Sequence, residues 1–151
     1  MTKNNHEGIK VIIQTFEELT TRDLYEILKV RSAVFVVEQN CPYQDLDDID
    51  FHATHITLWC EGGIVAYARV FKDPDTDLWH IGRVLSTQRN KSYGLQVMKE
   101  SIKLAESLGA HCIEIEAQCY AIGFYEKVGF QVSSEPFLLD GIPHQKMRFH
   151  E

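Results

Sequence analysis

No apolar run in the 151 residues approaches the roughly 20 that a membrane-spanning helix needs, so no membrane partner is expected. Positive charge is also scarce. Fifteen Lys and Arg against 22 Asp and Glu give a formal charge of −7, a poor complement to a polyanion, so nucleic acid is not expected as a partner. Cys41, Cys60, Cys112 and Cys119 lack any CxxC spacing and fall in different segments, which argues against structural zinc and against a disulfide framework. His52 and His55 form an HxxH with no acidic partner at zinc-enzyme spacing, and the other histidines are scattered, so no metal is expected. Neither the Walker A phosphate loop nor the GxGxxG dinucleotide fingerprint occurs. The opening MTKNNHEGIK has no apolar core of the kind a signal peptide carries, which points to the cytoplasm.

What is present is ordinary globular composition, 44% hydrophobic and 25% charged, at a length that suits a single domain over 1–151. Residues 9–16 are β-branched and apolar and predict a first strand. Thr20 or Thr21 is a candidate N-cap, and Asp23 suits a first helical turn. Leu24, Ile27, Leu28, Val34 and Phe35 then predict a helical stripe to about Glu38, broken by Arg31. Residues 41–50 form an acidic loop. Segments 53–60, 64–71 and 78–86 read as strands joined by short turns, an antiparallel meander. A long helix from Gly94 puts Leu95, Met98, Ile102, Ala105 and Leu108 on one face and stops at Gly109. Residues 112–117 follow as a strand parallel to the preceding one. A short helix over 121–128, a strand over 130–137, a turn at Asp140-Gly141 and a strand over 144–150 complete the chain. The predicted order is β-α-β-β-β-α-β-α-β-β, an α/β (α+β) fold around one sheet.

Two segments carry candidate chemistry. Loop 87–94 contains Arg89 and Lys91 and leads into the long helix, whose unpaired N-terminal amides and positive dipole end suit phosphate. Taken alone it reads equally well as a solvated turn. The second segment is QCYAIGFYEKVGF, from Gln118 to Phe130. Tyr125 lies there on a short helix directly after a strand, where its hydroxyl can reach a cleft at the strand end. A phenol of pKa about 10 can give a proton to a leaving thiolate at neutral pH. The bland alternative is that Phe124, Tyr125 and Val128 simply pack the helix.

In order and separation these segments resemble those of the GCN5-related N-acetyltransferase (GNAT) superfamily. Its acetyl-CoA loop follows Q/R-x-x-G-x-G/A, onto which Arg89, Asn90, Lys91, Ser92, Tyr93 and Gly94 fall, with Ser92 in place of the first glycine. AIGFYEKVGF is similar to the family's AxxFYxKxGF, whose tyrosine often acts as general acid. VRSAVFVVEQNCPYQDLDDID, AQCYAIGFYEKVGF and DGIPHQKM resemble the ElaA-type subgroup. Arg31, Phe35 and Glu38 also resemble positions of the acyl-homoserine-lactone synthases, which share the fold.

The resemblance implies a GNAT fold: one mixed, mostly antiparallel sheet of about seven strands flanked by helices, with splayed central strands. It implies acetyl transfer from acetyl-CoA, without a metal, to a primary amine of a small molecule or peptide by direct attack in a ternary complex. Main-chain groups at Val84 and Leu85 would hold the pantetheine arm. Residues Arg89, Asn90, Lys91, Ser92, Tyr93, Gly94 and Leu95 would hold the pyrophosphate. Gln118 and Phe124 would flank the arm, and Tyr125 would protonate the sulfur. Arg31, Phe35, Glu38, His80 and Glu116 are the candidate acceptor-side residues. Leu78 stands where histone-type members carry a glutamate base, which leaves Asp77, His80, Glu116, or Glu38 through water. Glu38, Asp45, Asp47, Asp48 and Asp50 either attract a cationic amine or form a solvated acidic loop. A homodimer is common among relatives. An acyltransferase of the lactone-synthase kind and a non-enzymatic acyl-CoA-binding module are the alternatives.

Overall fold

Alternating and apolar stretches form the strands where the pattern places them, in a computed structural model that describes residues 2–4, 8–88 and 91–150. The strands are β1 (Thr2–Asn4), β2 (Lys10–Thr15), β3 (Thr54–Cys60), β4 (Gly63–Lys72), β5 (Trp79–Ser86), β6 (Cys112–Gln118), β7 (Gln131–Val132), β8 (Phe137–Leu139) and β9 (Ile142–His150). They form one sheet in the order β1-β2-β3-β4-β5-β6-β9-β7, with β8 also paired to β9. Every pairing is antiparallel except β5 with β6. The excess over seven strands has two sources. One is the short β1. The other is segment 130–137, which Ser133, Ser134 and Pro136 interrupt so that β7 and β8 pair separately along β9.

Helix α1 (Thr21–Arg31) opens on a capping box: the Thr20 hydroxyl accepts from the Asp23 amide, and the Asp23 carboxylate accepts from the Thr20 amide. It covers one sheet face, burying Ile27 against Tyr67 and Leu85. The stripe expected to continue to Glu38 does so in a different form. From Ser32 to Glu38, a segment rich in β-branched valines, the turn widens to a π-helix, with Val34 and Phe35 against the same small core.

Helix α2 (Tyr93–Ser107) covers the other face. Its buried stripe is Tyr93, Val97, Met98, Ser101, Ile102 and Ala105, spaced by three and four residues as helical packing requires. Leu95 lies half-buried beside that stripe and Leu108 is 49% exposed, so the expected face is rotated. Ser101 is accommodated because its hydroxyl donates to the Val97 carbonyl at 2.7 Å. Gly109, at φ 101°, ends the helix as expected: its amide bonds the Glu106 carbonyl and the Ala110 amide bonds that of Ala105. The main core lies beneath α2, built from Ile56, Leu58, Ala66, Ala68, Val70, Ile81, Ile113, Ile115 and Met147.

Candidate active site

The parallel pair β5–β6 is the break in the sheet. It holds for two residue pairs, Trp79 with Ile113 and His80 with Glu114, and then stops. Beyond His80, β5 keeps β4 on one edge while its other edge, residues 81–86, faces a gap. An unpaired strand edge presents a row of amides and carbonyls that an extended ligand can pair with.

The sequence feature behind the gap is a bulge. Cross-strand register between β4 and β5 slips by one residue around Arg83, which sits at φ 52°. Ile81 and Val84 both touch the α2-side core although they are three apart, which alternation alone forbids. The Arg83 side chain instead lies on the α1 face and meets the acidic loop.

There three arginines and three aspartates alternate in a closed ring. Asp45 accepts from Arg31 Nε at 2.9 Å and Arg83 Nε at 2.7 Å. Asp50 accepts from Nη1 of Arg31 at 2.7 Å and of Arg69 at 2.9 Å. Asp47 closes the ring on Arg69 Nη2 at 2.6 Å and Arg83 Nη2 at 3.4 Å. Burial pushes the Asp50 carboxyl up, but the hydrogen bonds and charge of Arg31, then of Arg69, outweigh it and hold it below the usual carboxylate range. Asp47 is held down in the same way, chiefly by Arg69. Beneath the ring His55 Nδ1 lies 2.6 Å from Tyr67 Oη and its Nε2 lies 3.0 Å from the Asp50 carbonyl. Loop 41–50 is therefore neither a free acidic wall nor simply solvated, because three of its carboxylates neutralise the buried Arg31 and Arg69 and the partly exposed Arg83. Arg31, at 0% exposure, has no surface with which to touch an acceptor.

On the α2 side, two distant segments converge. A Cβ built on Gly94 would lie 3.5 Å from Phe124 Cζ and 3.9 Å from Ser86 Cβ, so the start of α2, the end of β5 and the tyrosine segment meet there. Ser92, the residue before α2, sits at φ 61°, the left-handed region that favours glycine. The first bond of the helix runs from the Gln96 amide to the Ser92 carbonyl, so the amides of Gly94 and Leu95 have no partner within it. The Tyr93 ring is buried in the core, while Lys91 and Ser92 are exposed. Arg89 and Asn90 lie outside the described residues.

Residues 119–121 form a single 3₁₀ turn, and α3 (Ile122–Glu126) follows. Tyr125 packs edge-on against Phe124 at 5.1 Å and Phe130 at 6.3 Å. Burial, with Tyr120 nearby, pushes its phenol up to about 12, so it keeps its proton at neutral pH. No described residue hydrogen-bonds its hydroxyl.

The other expected residues spread along the gap. Val84 and Leu85 carry the free edge of β5, although the Leu85 side chain itself is buried beside Tyr67. Gln118, at the wide end of β6, donates to Gln39 Oε1 at 3.3 Å, bringing the end of the π-helix, with exposed Glu38, across the α1 side of the gap. Phe35 packs beneath in the small core. Glu116 is exposed on the same strand, opposite Lys146. His80 lies at the closed vertex, stacked on Phe71 at 5.2 Å. Asp77 is in the turn before β5, also at the closed end, fully exposed and 3.9 Å from Lys72 Nζ. The sequence reading missed Arg69 and Arg83. A charge inside the apolar run IVAYARVF was the available signal, since a buried arginine requires partners.

Comparison with known proteins agrees with this geometry. The model of an acetyltransferase (GNAT) domain family matches residues 16–151. Protein ElaA of Escherichia coli is 40% identical over 136 residues, covering 84% of this chain and 87% of ElaA. The ElaA crystal structure superposes with a TM-score of 0.88 over 94% of this chain and 99% of that one. The crystal structure of an acyl-CoA N-acyltransferase from Pseudomonas aeruginosa gives 0.86 at 34% identity, covering 92% and 98%. A putative acetyltransferase of Bacillus subtilis is 32% identical, covering 83% and 88%.

Proposed function

This chain belongs to the GNAT acetyltransferase family, in its ElaA-type subgroup, and on that premise we propose that it transfers acetyl from acetyl-CoA to a primary amine of a small molecule or peptide. Family membership makes it an acyl-CoA-dependent acyltransferase; the acetyl group, the amine and the direct attack in a ternary complex are our reading. The observation that carries this reading is the β5–β6 pairing that stops after two residue pairs, with the start of α2 and Phe124, the neighbour of Tyr125, meeting at the end of β5.

In this reading the main chain of Val84 and Leu85 pairs with the pantetheine arm, and an amide of that edge polarises the thioester carbonyl. The amides of Gly94 and Leu95, with Lys91 and the Arg89 and Asn90 of the preceding loop, receive the pyrophosphate. Phe124 keeps the start of α2 at its distance from α3. Tyr125 holds the proton that the sulfur takes on leaving. Among the described residues no histidine hydrogen-bonds Cys119, so no activated thiol competes with direct attack. Four unpaired cysteines fit a reducing cytoplasm.

The test is release of free CoA thiol from acetyl-CoA across a panel of amines, with longer acyl-CoAs in parallel. Amine-dependent thiol release is expected. Tight CoA binding with no release for any amine overturns the enzyme reading in favour of a binding module, and a strong preference for long acyl chains overturns the acetyl assignment.

A further inference from the structure

The segment DGIPHQKM carries a histidine that the reading above leaves unused. His144 begins the stretch of β9 that pairs with β6, and its register partner is Gln118, the last residue of β6. Directly opposed residues project from the same face, so His144 stands beside Gln118 on the α1 side of the sheet. Gln118 lies four residues past the last β5–β6 pair, at the wide end of the gap and level with Val84. The imidazole is thus one strand spacing, about 4.8 Å, beyond the β6 wall of the gap.

Its chemistry is set by the backbone. His144 Nδ1 donates to the Ile142 carbonyl at 2.7 Å, which fixes the tautomer and leaves Nε2 as an acceptor lone pair. The residue is 93% buried, with Phe137 stacked on the ring at 6.1 Å, yet no described residue bonds Nε2. Among the described residues the one fully buried side-chain N or O atom without a partner is Arg69 Nε, so His144 Nε2 keeps an opening to solvent. Such an imidazole, oriented by one nitrogen and open at the other, is arranged to accept a proton. The groups around it are Gln118 and Glu116 from β6, Lys146 on its own strand, Phe137 from β8, and Gln39 with Glu38 at the end of the π-helix.

We infer that His144 is the general base that takes the proton of the acceptor amine, directly or through one water. This rests on the acetyltransferase reading. The alkylamine arrives as an ammonium, and His144 Nε2 takes the proton that frees its lone pair and releases it to water. The amine nitrogen then bonds to the acetyl carbon and the carbon–sulfur bond breaks. The sulfur takes the Tyr125 hydroxyl proton, the second proton on nitrogen passes to water, and Tyr125 regains one from water, so the net change is thioester plus ammonium to amide, thiol and one released proton. Acid and base stand on opposite sides of the sheet at one gap: Tyr125 on the α2 side, His144 on the α1 side.

His144→Asn tests this, because the asparagine amide can keep the bond to the Ile142 carbonyl while deleting Nε2. Thermal melting and acetyl-CoA affinity, expected to be unchanged, show that the variant folds; His144→Gln is the second variant if it does not. With an alkylamine of pKa about 10, kcat/KM should fall about 100-fold. With an amine of pKa below about 7, which arrives deprotonated, the loss should shrink to a few-fold, a difference that a merely structural role would not produce. Equal losses for both amines, or no loss for either, overturn the assignment. A wild-type enzyme that releases no thiol with any amine overturns the acetyltransferase reading itself, and this inference with it.

Discussion

Asp50→Asn is the sharpest perturbation of the charged ring. The Asp50 carboxylate joins Arg31 and Arg69, whose side chains are 0% and 3% exposed, so neither guanidinium can recover its lost partner from water. Asparagine keeps one neutral oxygen at the Oδ1 position that both guanidiniums share but loses the charge, and the ring goes from neutral to a net +1 beside its two buried arginines. Removing one member of a buried pair costs about 3–5 kcal/mol, because the remaining charge stays desolvated. For a chain of this length that corresponds to a melting point lower by about 6–20 °C. The pH dependence has a definite sign. The folded Asp50 pKa lies below its unfolded value of about 3.9, so its stabilisation is complete above that value and disappears as pH falls through the folded pKa. Thermal melts of both proteins at pH 7 and below pH 4 measure this, with exposed Asp48→Asn, outside the ring, as control within about 0.5 kcal/mol. The wild type should approach the variant as the solution is acidified. A variant that melts within about 2 °C of the wild type at neutral pH refutes the claim that Asp50 is the buried counter-charge of Arg31 and Arg69, as the expected shift is several times larger.

Tyr125→Phe should leave melting and acetyl-CoA affinity unchanged, since its hydroxyl bonds no described residue and its ring contacts persist, while kcat falls about 100-fold at neutral pH. An unchanged rate removes Tyr125 as the acid. Ser92→Gly relieves a left-handed serine worth about 1–2 kcal/mol, partly offset by about 0.5–1 kcal/mol of glycine chain entropy. A melting point up to about 3 °C higher and an equal or lower acetyl-CoA Kd are therefore expected. A lower melting point would mean that the serine side chain makes a contact worth more than the strain.

The element order was legible because periodicity and turn chemistry act locally: Thr20 with Asp23, Gly109, and the alternation in β3 to β6 each define their own segment. The gap was not legible from pattern, because a bulge at Arg83 depends on what the far side of the strand meets. Resemblance alone suggested the splay. Arg31 reads as a defect in an apolar helical stripe, and Asp45, Asp47 and Asp50 read as a solvated run. Only their pairing across α1, β4 and β5 turns four anomalies into one neutral cluster. His144 was equally opaque. Nothing in PHQK distinguishes a surface histidine from one whose Nδ1 is tied to the backbone two residues earlier.

The ring and the gap are mechanically one feature. A non-glycine residue at φ 52° costs on the order of 1–2 kcal/mol and persists only where its surroundings hold it. Arg83 is held by Asp45 and Asp47, and those are fixed in turn by Arg31 in α1 and Arg69 in β4. The bulge falls where β5 parts from β6, so the charge cluster braces the strand that forms one edge of the opening. If the acetyltransferase reading holds, a substitution in this ring raises the KM for acetyl-CoA and disturbs the spacing between Tyr125 and His144 together, whereas a substitution at either of those residues changes one proton transfer alone. Because the ring is neutral, its aspartates carry no net charge with which to draw in a cationic amine, whereas Glu116 is exposed on β6 two residues before Gln118. On the acetyltransferase reading, Glu116→Gln should then raise the KM of a cationic amine more than Asp47→Asn does, and the reverse order would return that role to the run of aspartates.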